Sequence, residues 1–267
     1  MINGATRVFA ILGNPVAHSL SPAMHNAAFK ALGIPAVYVP MPCSPDDVLP
    51  LIRALARSGG GGNVTVPHKA TAARAVDVCR KLVEITDACN TFWAENGGSI
   101  GDNTDVHGVV QAMRELQAPE APWLIAGTGG AARAAVMAAR ECGVPVAVTS
   151  RDESRREGFE SWVSARAVAL AAPADCGVLI NATPLGLKAG DPLPIGLDLA
   201  PRAEVALDMV YAAGETPWVR SIRPRVRRAG DGRVMLVAQG AAAFERWFPG
   251  KHAPVEVMRA AVNAALH

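Results

Sequence analysis

Trp123-Leu124-Ile125-Ala126-Gly127-Thr128-Gly129-Gly130-Ala131-Ala132 is the stretch whose reading decides the fold. The apolar run Trp123 to Ala126 predicts a buried strand. Gly127, Gly129 and Ala132 follow at G-x-G-x-x-A spacing. In a strand–turn–helix unit the first glycine makes the tight turn and the second lets backbone approach a pyrophosphate. A small third residue lets the helix pack close to the strand. The spacing predicts a helix from there to about Glu141, whose free N–H groups face the anion. A strand over Val144 to Val148 closes the unit and ends in Thr149-Ser150-Arg151-Asp152. That corner selects the dinucleotide. A carboxylate accepts from the ribose hydroxyl of NAD, whereas an arginine holds the 2′-phosphate of NADP. Arg151 favours NADP, and Asp152, an awkward neighbour for a phosphate, keeps NAD as the lesser alternative.

Downstream, the pattern predicts a helix over Glu153 to Ala165 and strands over Val178 to Asn181 and Val205 to Val210. Thr216-Pro217-Trp218 opens another helix, and the basic run Arg220 to Arg228 reads as a solvated helix face. Val234 to Val237 reads as a last short strand. Gln239 opens a helix over Gly240 to Trp247, and Pro254 to Leu266 is a final amphipathic helix. Gln239 is either a helix-end residue of no consequence or an amide aimed at a polar ligand.

Upstream, Val8 to Leu12 reads as a strand. Ser21 has the place of an N-cap before Pro22, and a helix runs from Pro22 to Leu32. A strand over Ala36 to Val39 and a helix opened by Ser44-Pro45-Asp46-Asp47 follow, the latter with Val48, Leu51, Ile52 and Leu55 inward. The glycine run Gly59 to Gly62 is expected to turn the chain tightly. Val64 and Val66 alternate with Asn63 and Thr65 as in a short strand, which Pro67 stops. One helix is expected over Thr71 to Ile85, a strand over Asn90 to Ala94, and a turn cluster over Gly101 to Asp105. A helix over Val106 to Leu116 follows, and the Pro-containing stretch Ala118 to Pro122 reads as a hinge. Strands alternating with helices imply α/β architecture with mostly parallel sheets.

Composition bounds the function. The chain has 267 residues, half of them hydrophobic and 19% charged, with a net charge of +2. A sizeable core is easily built, and no broad field exists for nucleic acid or an anionic membrane. No apolar run reaches the roughly 18 residues of a spanning helix, and Met1 to Val8 carries no signal-peptide pattern, so a cytoplasmic enzyme is expected. Five scattered cysteines argue against a disulfide framework. The six histidines, at 18, 25, 68, 107, 252 and 267, do not cluster, and no metal site is expected.

Lys69 follows the predicted strand at the end where open α/β sheets bind ligands. It is either a surface lysine or the acid–base group of a reaction. Asp105 sits where a helix-capping acid would, or else partners Lys69 in proton transfer. Ser19 and Ser21 flank a helix start, as hydroxyls able to hold a carboxylate or, for Ser21, merely as a cap.

Taken together, several stretches resemble the shikimate dehydrogenase family: His18 to Pro22 with Met24-His25-Asn26, Asn63 through Lys69, Asn90-Thr91, and Asn103-Thr104-Asp105 with Gly108. Further along come Gly127 through Arg133, Asn181 to Pro184, Asp208 with Tyr211, and Met235-Leu236 with Gln239. They stand in the family's order across nearly the whole chain. The resemblance implies reversible NADPH-dependent reduction of 3-dehydroshikimate to shikimate in aromatic biosynthesis. It implies Ser19 and Ser21 on the substrate carboxylate, and Thr65, Lys69, Asn90, Asp105 and Gln239 around the ring hydroxyls. Lys69 and Asp105 would move the proton, and Tyr211 would line the substrate pocket. Gly127, Thr128, Gly129, Gly130 and Ala131 would cradle the pyrophosphate, Arg151 would take the 2′-phosphate, and Gly232 would lie by the nicotinamide.

The implied fold is two α/β domains around a cleft. A substrate domain, 1–104, has a mostly parallel sheet and is completed by helices in 239–267. A Rossmann-like NADP domain spans 105–238. A monomer or homodimer is expected. The chain departs from the family pattern at Asp87-Ala88-Cys89, where Gly-Ala-Val is usual, at Thr149 to Asp152, and at Val234, where glycine is common. The alternatives are an NAD-dependent quinate/shikimate dehydrogenase and a dinucleotide-binding protein without turnover.

Overall fold

The computed structural model describes residues 2–188 and 190–266, so His267 lies outside the described residues. The chain forms two compact units: residues up to Thr104 together with Leu236–Ala265, and Asp105–Met235 with Leu266.

The first unit runs β1 (Arg7–Gly13), α1 (Ser21–Ala31), β2 (Ala36–Pro42), α2 (Val48–Arg57), β3 (Gly61–Val64), α3 (Lys69–Ala75), β4 (Val78–Cys79), α4 (Lys81–Thr86), β5 (Thr91–Glu95) and β6 (Gly98–Asp102). The second unit runs α5 (Asp105–Glu115), β7 (Trp123–Ala126), α6 (Gly130–Glu141), β8 (Val146–Thr149), α7 (Glu153–Ser164), β9 (Val178–Asn181), β10 (Val205–Asp208), α8 (Pro217–Ile222) and β11 (Arg228–Gly230). Then come α9 (Arg233–Trp247), which belongs to the first unit from Leu236 onward, and α10 (Val255–Ala264).

In the first sheet the order is β2-β1-β3-β5-β6-β4. β1 pairs in parallel with β2 and β3, β4 pairs in parallel with β6, and β5 runs antiparallel to both its neighbours. Alternation along β1 sorts its side chains to two faces. Ala10 and Leu12 join Val48, Ile52 and Leu55 of α2 and Ala72 and Ala75 of α3 in one core. Phe9 lies on Phe29, Trp247 and Phe248, with ring centroids 5.5, 4.9 and 5.4 Å away. α10 packs along α1, and Gly240 of α9 admits both: a methyl there would stand 2.2 Å from the Met24 Cε and 3.4 Å from the Met258 Cε.

The second sheet, β11-β10-β9-β7-β8, is parallel at every pair. β7 is its first strand in chain order and lies between β8 and β9, so the strand order reverses beside it. That reversal makes the carboxyl end of β7 the ligand-binding edge of such a sheet.

Several expectations are corrected. Gly59 turns the chain, with φ +75°, but Gly61 and Gly62 are strand. A methyl on Gly62 would sit 2.1 Å from the Ala10 carbonyl oxygen, and one on Gly61 2.5 Å from that of Phe92. These glycines let three strands approach, and Thr65 and Val66 lie beyond β3. The helix expected over Thr71 to Ile85 is α3, β4 and α4, because Val76 is extended and its successors pair with β6. The turn cluster at Gly101 is the end of β6. Val234 to Val237 is helical, not a strand, and a short apolar run does not distinguish the two. The basic run holds the end of α8 and then β11. Among the described residues no helix is long and apolar enough to cross a membrane, and no group of His, Cys, Asp or Glu could hold a metal.

Candidate functional site

In the first unit the predicted polar residues meet in a buried hydrogen-bond network. Ser21 is not the cap of α1. Leu20 occupies that position, and Ser21 is the first helical residue, 2% exposed. Its N–H donates to the Ser19 Oγ at 3.3 Å. Tyr38 O–H donates to the Asn63 Oδ1 at 2.8 Å, and Asn63 Nδ2 donates to the Asn90 carbonyl at 3.1 Å. Asn90 Nδ2 in turn donates to the Thr104 Oγ1 at 3.0 Å and the Gln239 Oε1 at 3.2 Å. Gln239 does not open a helix; it stands inside α9, its Nε2 donating to the Leu236 carbonyl at 3.1 Å.

Thr65 and Lys69 are half-buried. The Thr65 N–H donates to the Leu12 carbonyl at 2.8 Å. Lys69 is the first residue of α3, and its carbonyl accepts from the Cys89 N–H at 2.9 Å, which ties the lysine backbone to the segment that carries Asn90. One main-chain hydrogen bond thus links Lys69 to the residue before Asn90. Tyr38, Asn63 and Thr104 join the network without having been singled out individually. Their signal was weak: Tyr38 reads as one more apolar strand residue, and the other two stand inside motifs whose neighbours carry the charge.

Asp87 explains one departure from the family pattern. It ends α4 with φ +50°, the left-handed region where glycine is at ease and aspartate is among the tolerated alternatives. Cys89, where valine is usual, is fully buried. Its Sγ donates to the Thr91 carbonyl, and burial pushes its thiol up to about 12, so it sits there as a small apolar residue.

In the second unit Asp105 opens α5 and is 4% exposed. Tyr211 follows β10 and is half-buried. The stretch before it is pinned by Asp208, whose carboxylate accepts from Asn181 Nδ2 at 2.8 Å, Val210 N–H at 3.1 Å and Thr216 O–H at 2.7 Å. Burial raises the Asp208 carboxyl; those three donors pull it back, and the Asp231 charge raises it further. The Gly232 N–H donates to the Val210 carbonyl at 3.0 Å, and a methyl on Gly232 would fall 2.5 Å from the Met209 oxygen.

The glycine turn after β7 has the shape its spacing predicts. Gly127 has φ +109°, and a Cβ there would crowd the Ala182 carbonyl oxygen at 3.0 Å. Gly129 is the N-cap of α6, with nothing within 4 Å of where its Cβ would stand. No side chain caps this helix and no acid lies in its first turn, so its N–H groups and positive dipole end suit an added anion. Thr128, Gly130 and Ala131 complete the turn. At the end of β8, Asp152 is the N-cap of α7: its Oδ1 accepts from the Arg155 N–H at 3.0 Å, and Arg155 pairs with it through Nε at 3.3 Å. Arg156 pairs with Glu153 and Glu160. Arg151 is exposed, and its charge, behind the backbone donors at Lys188 and Gly186, helps hold the Asp191 carboxyl below its usual range. The residues present therefore fit a dinucleotide with a 2′-phosphate, since the acid beside Arg151 is occupied as a cap.

Known proteins resemble this chain over nearly its whole length. Residues 11–92 match a family model described as the shikimate dehydrogenase substrate binding domain, and residues 232–262 match one described as the shikimate 5'-dehydrogenase C-terminal domain. A Synechococcus protein named shikimate dehydrogenase (NADP(+)) is 38% identical over 99% of this chain and 98% of its own. One of the same name from Microcystis aeruginosa is 35% identical over 98% of each. The crystal structure of shikimate 5-dehydrogenase from Thermus thermophilus, in complex with NADP(H) and shikimate, superposes with a TM-score of 0.86. It shares 31% identity, over 97% of this chain and 99% of that one.

Proposed function

Because the chain belongs to the shikimate dehydrogenase family, we propose that it interconverts 3-dehydroshikimate and shikimate with NADP(H), within aromatic biosynthesis. The bound nicotinamide supplies the hydride chemistry. What the protein itself must do is hold a polyhydroxy acid, hold the nucleotide, and move one proton. Ser19 and Ser21 take the substrate carboxylate. Thr65, Asn90 and Gln239 take the ring hydroxyls, with Tyr211 lining the pocket. Lys69 gives a proton to the nascent alkoxide in reduction and takes it back in oxidation, with Asp105 as its partner in transfer. Gly127 to Ala131 hold the pyrophosphate, Arg151 the 2′-phosphate, and Gly232 lies by the nicotinamide.

One observation carries this reading: the buried amides of Asn63, Asn90 and Gln239, joined by hydrogen bonds, cluster polar groups that a core has no use for. The test is spectrophotometric oxidation of shikimate, run with NADP and with NAD and repeated with quinate. Tight NADPH binding without turnover would instead support a dinucleotide-binding protein that is no enzyme. Arg151→Ala is expected to raise the KM for NADP by about 10- to 100-fold, the worth of a hydrogen bond to a charged group, and to leave the KM for NAD unchanged. An unchanged KM for NADP would remove Arg151 from the phosphate site.

A further inference from the structure

The turn that delivers Lys69, Thr65 to His68, lies at the surface except at its last residue. Val66 and Pro67 are exposed and Thr65 is half-buried, whereas His68 is 1% exposed. Main-chain hydrogen bonds hold the front of the turn to the end of β1. The Thr65 N–H donates to the Leu12 carbonyl at 2.8 Å, and the Val66 carbonyl accepts from the Asn14 N–H at 3.2 Å. Pro67 has no N–H to offer, and the His68 N–H closes the turn on the Thr65 carbonyl at 2.9 Å. The back of the turn, next to the lysine, is left to a side chain. The His68 ring reaches inward, and its Nε2 donates to the Cys43 carbonyl, just beyond β2, at 2.9 Å. A carbonyl oxygen only accepts, so the ring carries a hydrogen on Nε2.

Cys43 is itself fixed, its N–H donating to the Gly13 carbonyl at 3.2 Å. The ends of β1 and β2 thus form one anchored edge, and His68 ties the residue before Lys69 to it. On the other side, the Lys69 carbonyl accepts from the Cys89 N–H at 2.9 Å. The lysine backbone is bracketed by two bonds, one from an imidazole and one through main chain. Nδ1 of His68 is buried with no partner among the described residues, so the Nε2 bond alone fixes the ring by hydrogen bonding. We propose that His68 is a positioning residue for Lys69, its Nε2–H setting the place from which the lysine reaches the reacting oxygen. This inference rests on the reading of Lys69 as the proton-transfer group. His68 acts through Lys69, and a placed acid–base group loses much of its worth when it moves by about an ångström.

His68→Phe keeps a flat ring and removes the donor. The expected result is a kcat for shikimate oxidation about 10- to 100-fold lower, with the KM for shikimate and for NADP each within about threefold. His68→Gln restores an N–H near the place of Nε2 and is expected to recover most of the lost kcat. A loss of packing alone would lower the melting temperature and leave kcat in place. In a Lys69→Ala background His68→Phe should change kcat by less than about twofold, because the group it places is already gone. A kcat that His68→Phe leaves unchanged, a Gln variant as slow as the Phe variant, or a full effect that persists in Lys69→Ala overturns the role of His68. Full kcat in Lys69→Ala alone overturns the reading of Lys69, and this role with it. A kcat lost in Lys69→Ala but kept in His68→Phe overturns the role of His68 only. Should His68→Phe not fold, His68→Asn, whose amide stops short of the place of Nε2, is expected to show the same loss, and an unchanged kcat there overturns the role equally.

Discussion

Lys69→Ala is expected to lower kcat for shikimate oxidation by about 10²–10⁴-fold, the worth of a placed acid–base group, while the shikimate KM moves little. The local structure favours this reading over that of a surface lysine. Lys69 is the first residue of α3, at the positive end of the helix, and no acid lies in that first turn. A cation there opposes the helix dipole by about 0.3–1 kcal/mol. Lys69 is half-buried and its carbonyl accepts from the Cys89 N–H, so its backbone is fixed by a neighbouring segment and not loose on the surface. Steady-state rates at saturating shikimate and NADP check it. Undiminished kcat would return Lys69 to the surface class. Asp105→Asn sorts the partner in the same assay: a fall in kcat marks proton transfer, whereas a change confined to KM marks binding.

His25 gives the second large effect, on stability rather than rate. It is completely buried, stacked on Tyr38 and set against Trp247, and burial pushes its pKa down to about 3. Of the rings against it only Tyr38 titrates, and burial pushes that phenol up, so it stays neutral as well. In the unfolded chain His25 returns to about 6.5. The unfolded state therefore binds a proton that the folded state refuses as the pH falls below 6.5, and stability drops with it. The loss begins near pH 6.5, and it ceases to grow once the pH passes below the folded value. At pH 5 it amounts to about 2 kcal/mol, a figure set by the unfolded value so long as the folded one stays below about 4. His25→Phe keeps a ring in the stack and cannot titrate. The stability difference between the two proteins, from denaturant melts at pH 8 and pH 5, should therefore shift by about 2 kcal/mol in favour of Phe at the lower pH. Parallel stability curves would mean that His25 takes up its proton in the folded protein.

The parts of this fold that the sequence made plain are those where local chemistry and tertiary role coincide. Gly127 to Ala132 is such a place, because its glycines are needed by the turn and by the ligand alike. The apolar runs of β7 and β9 are another. β6 was hidden because Gly98, Ser99, Gly101 and Asp102 have turn composition; pairing with β5 makes them a strand, and pairing is not a local property. Val234 to Val237 misled for the opposite reason: four apolar residues carry too little periodicity to separate helix from strand. At the site, Ser21 suggested a cap by position, yet Leu20 is the cap and Ser21 is buried as the first helical residue. Tyr38 stands in a strand whose alternation gave no hint of its hydrogen bond to Asn63. Asp152 looked hostile to a phosphate because a sequence does not reveal that its carboxylate is already spent on the start of α7.

Gly60 to Gly62 bear on how this protein can change. A methyl at any of the three would fall between 1.9 and 2.5 Å from a carbonyl oxygen of a neighbouring strand. Side-chain repacking offers no relief, since the obstacle is main chain on each occasion. Those positions are closed to drift and to library design alike. Diversity introduced there would be lost at the first selection for a folded product, so a directed-evolution campaign on this scaffold should leave the three codons untouched and spend its variation on the exposed Val66 and Pro67 just beyond.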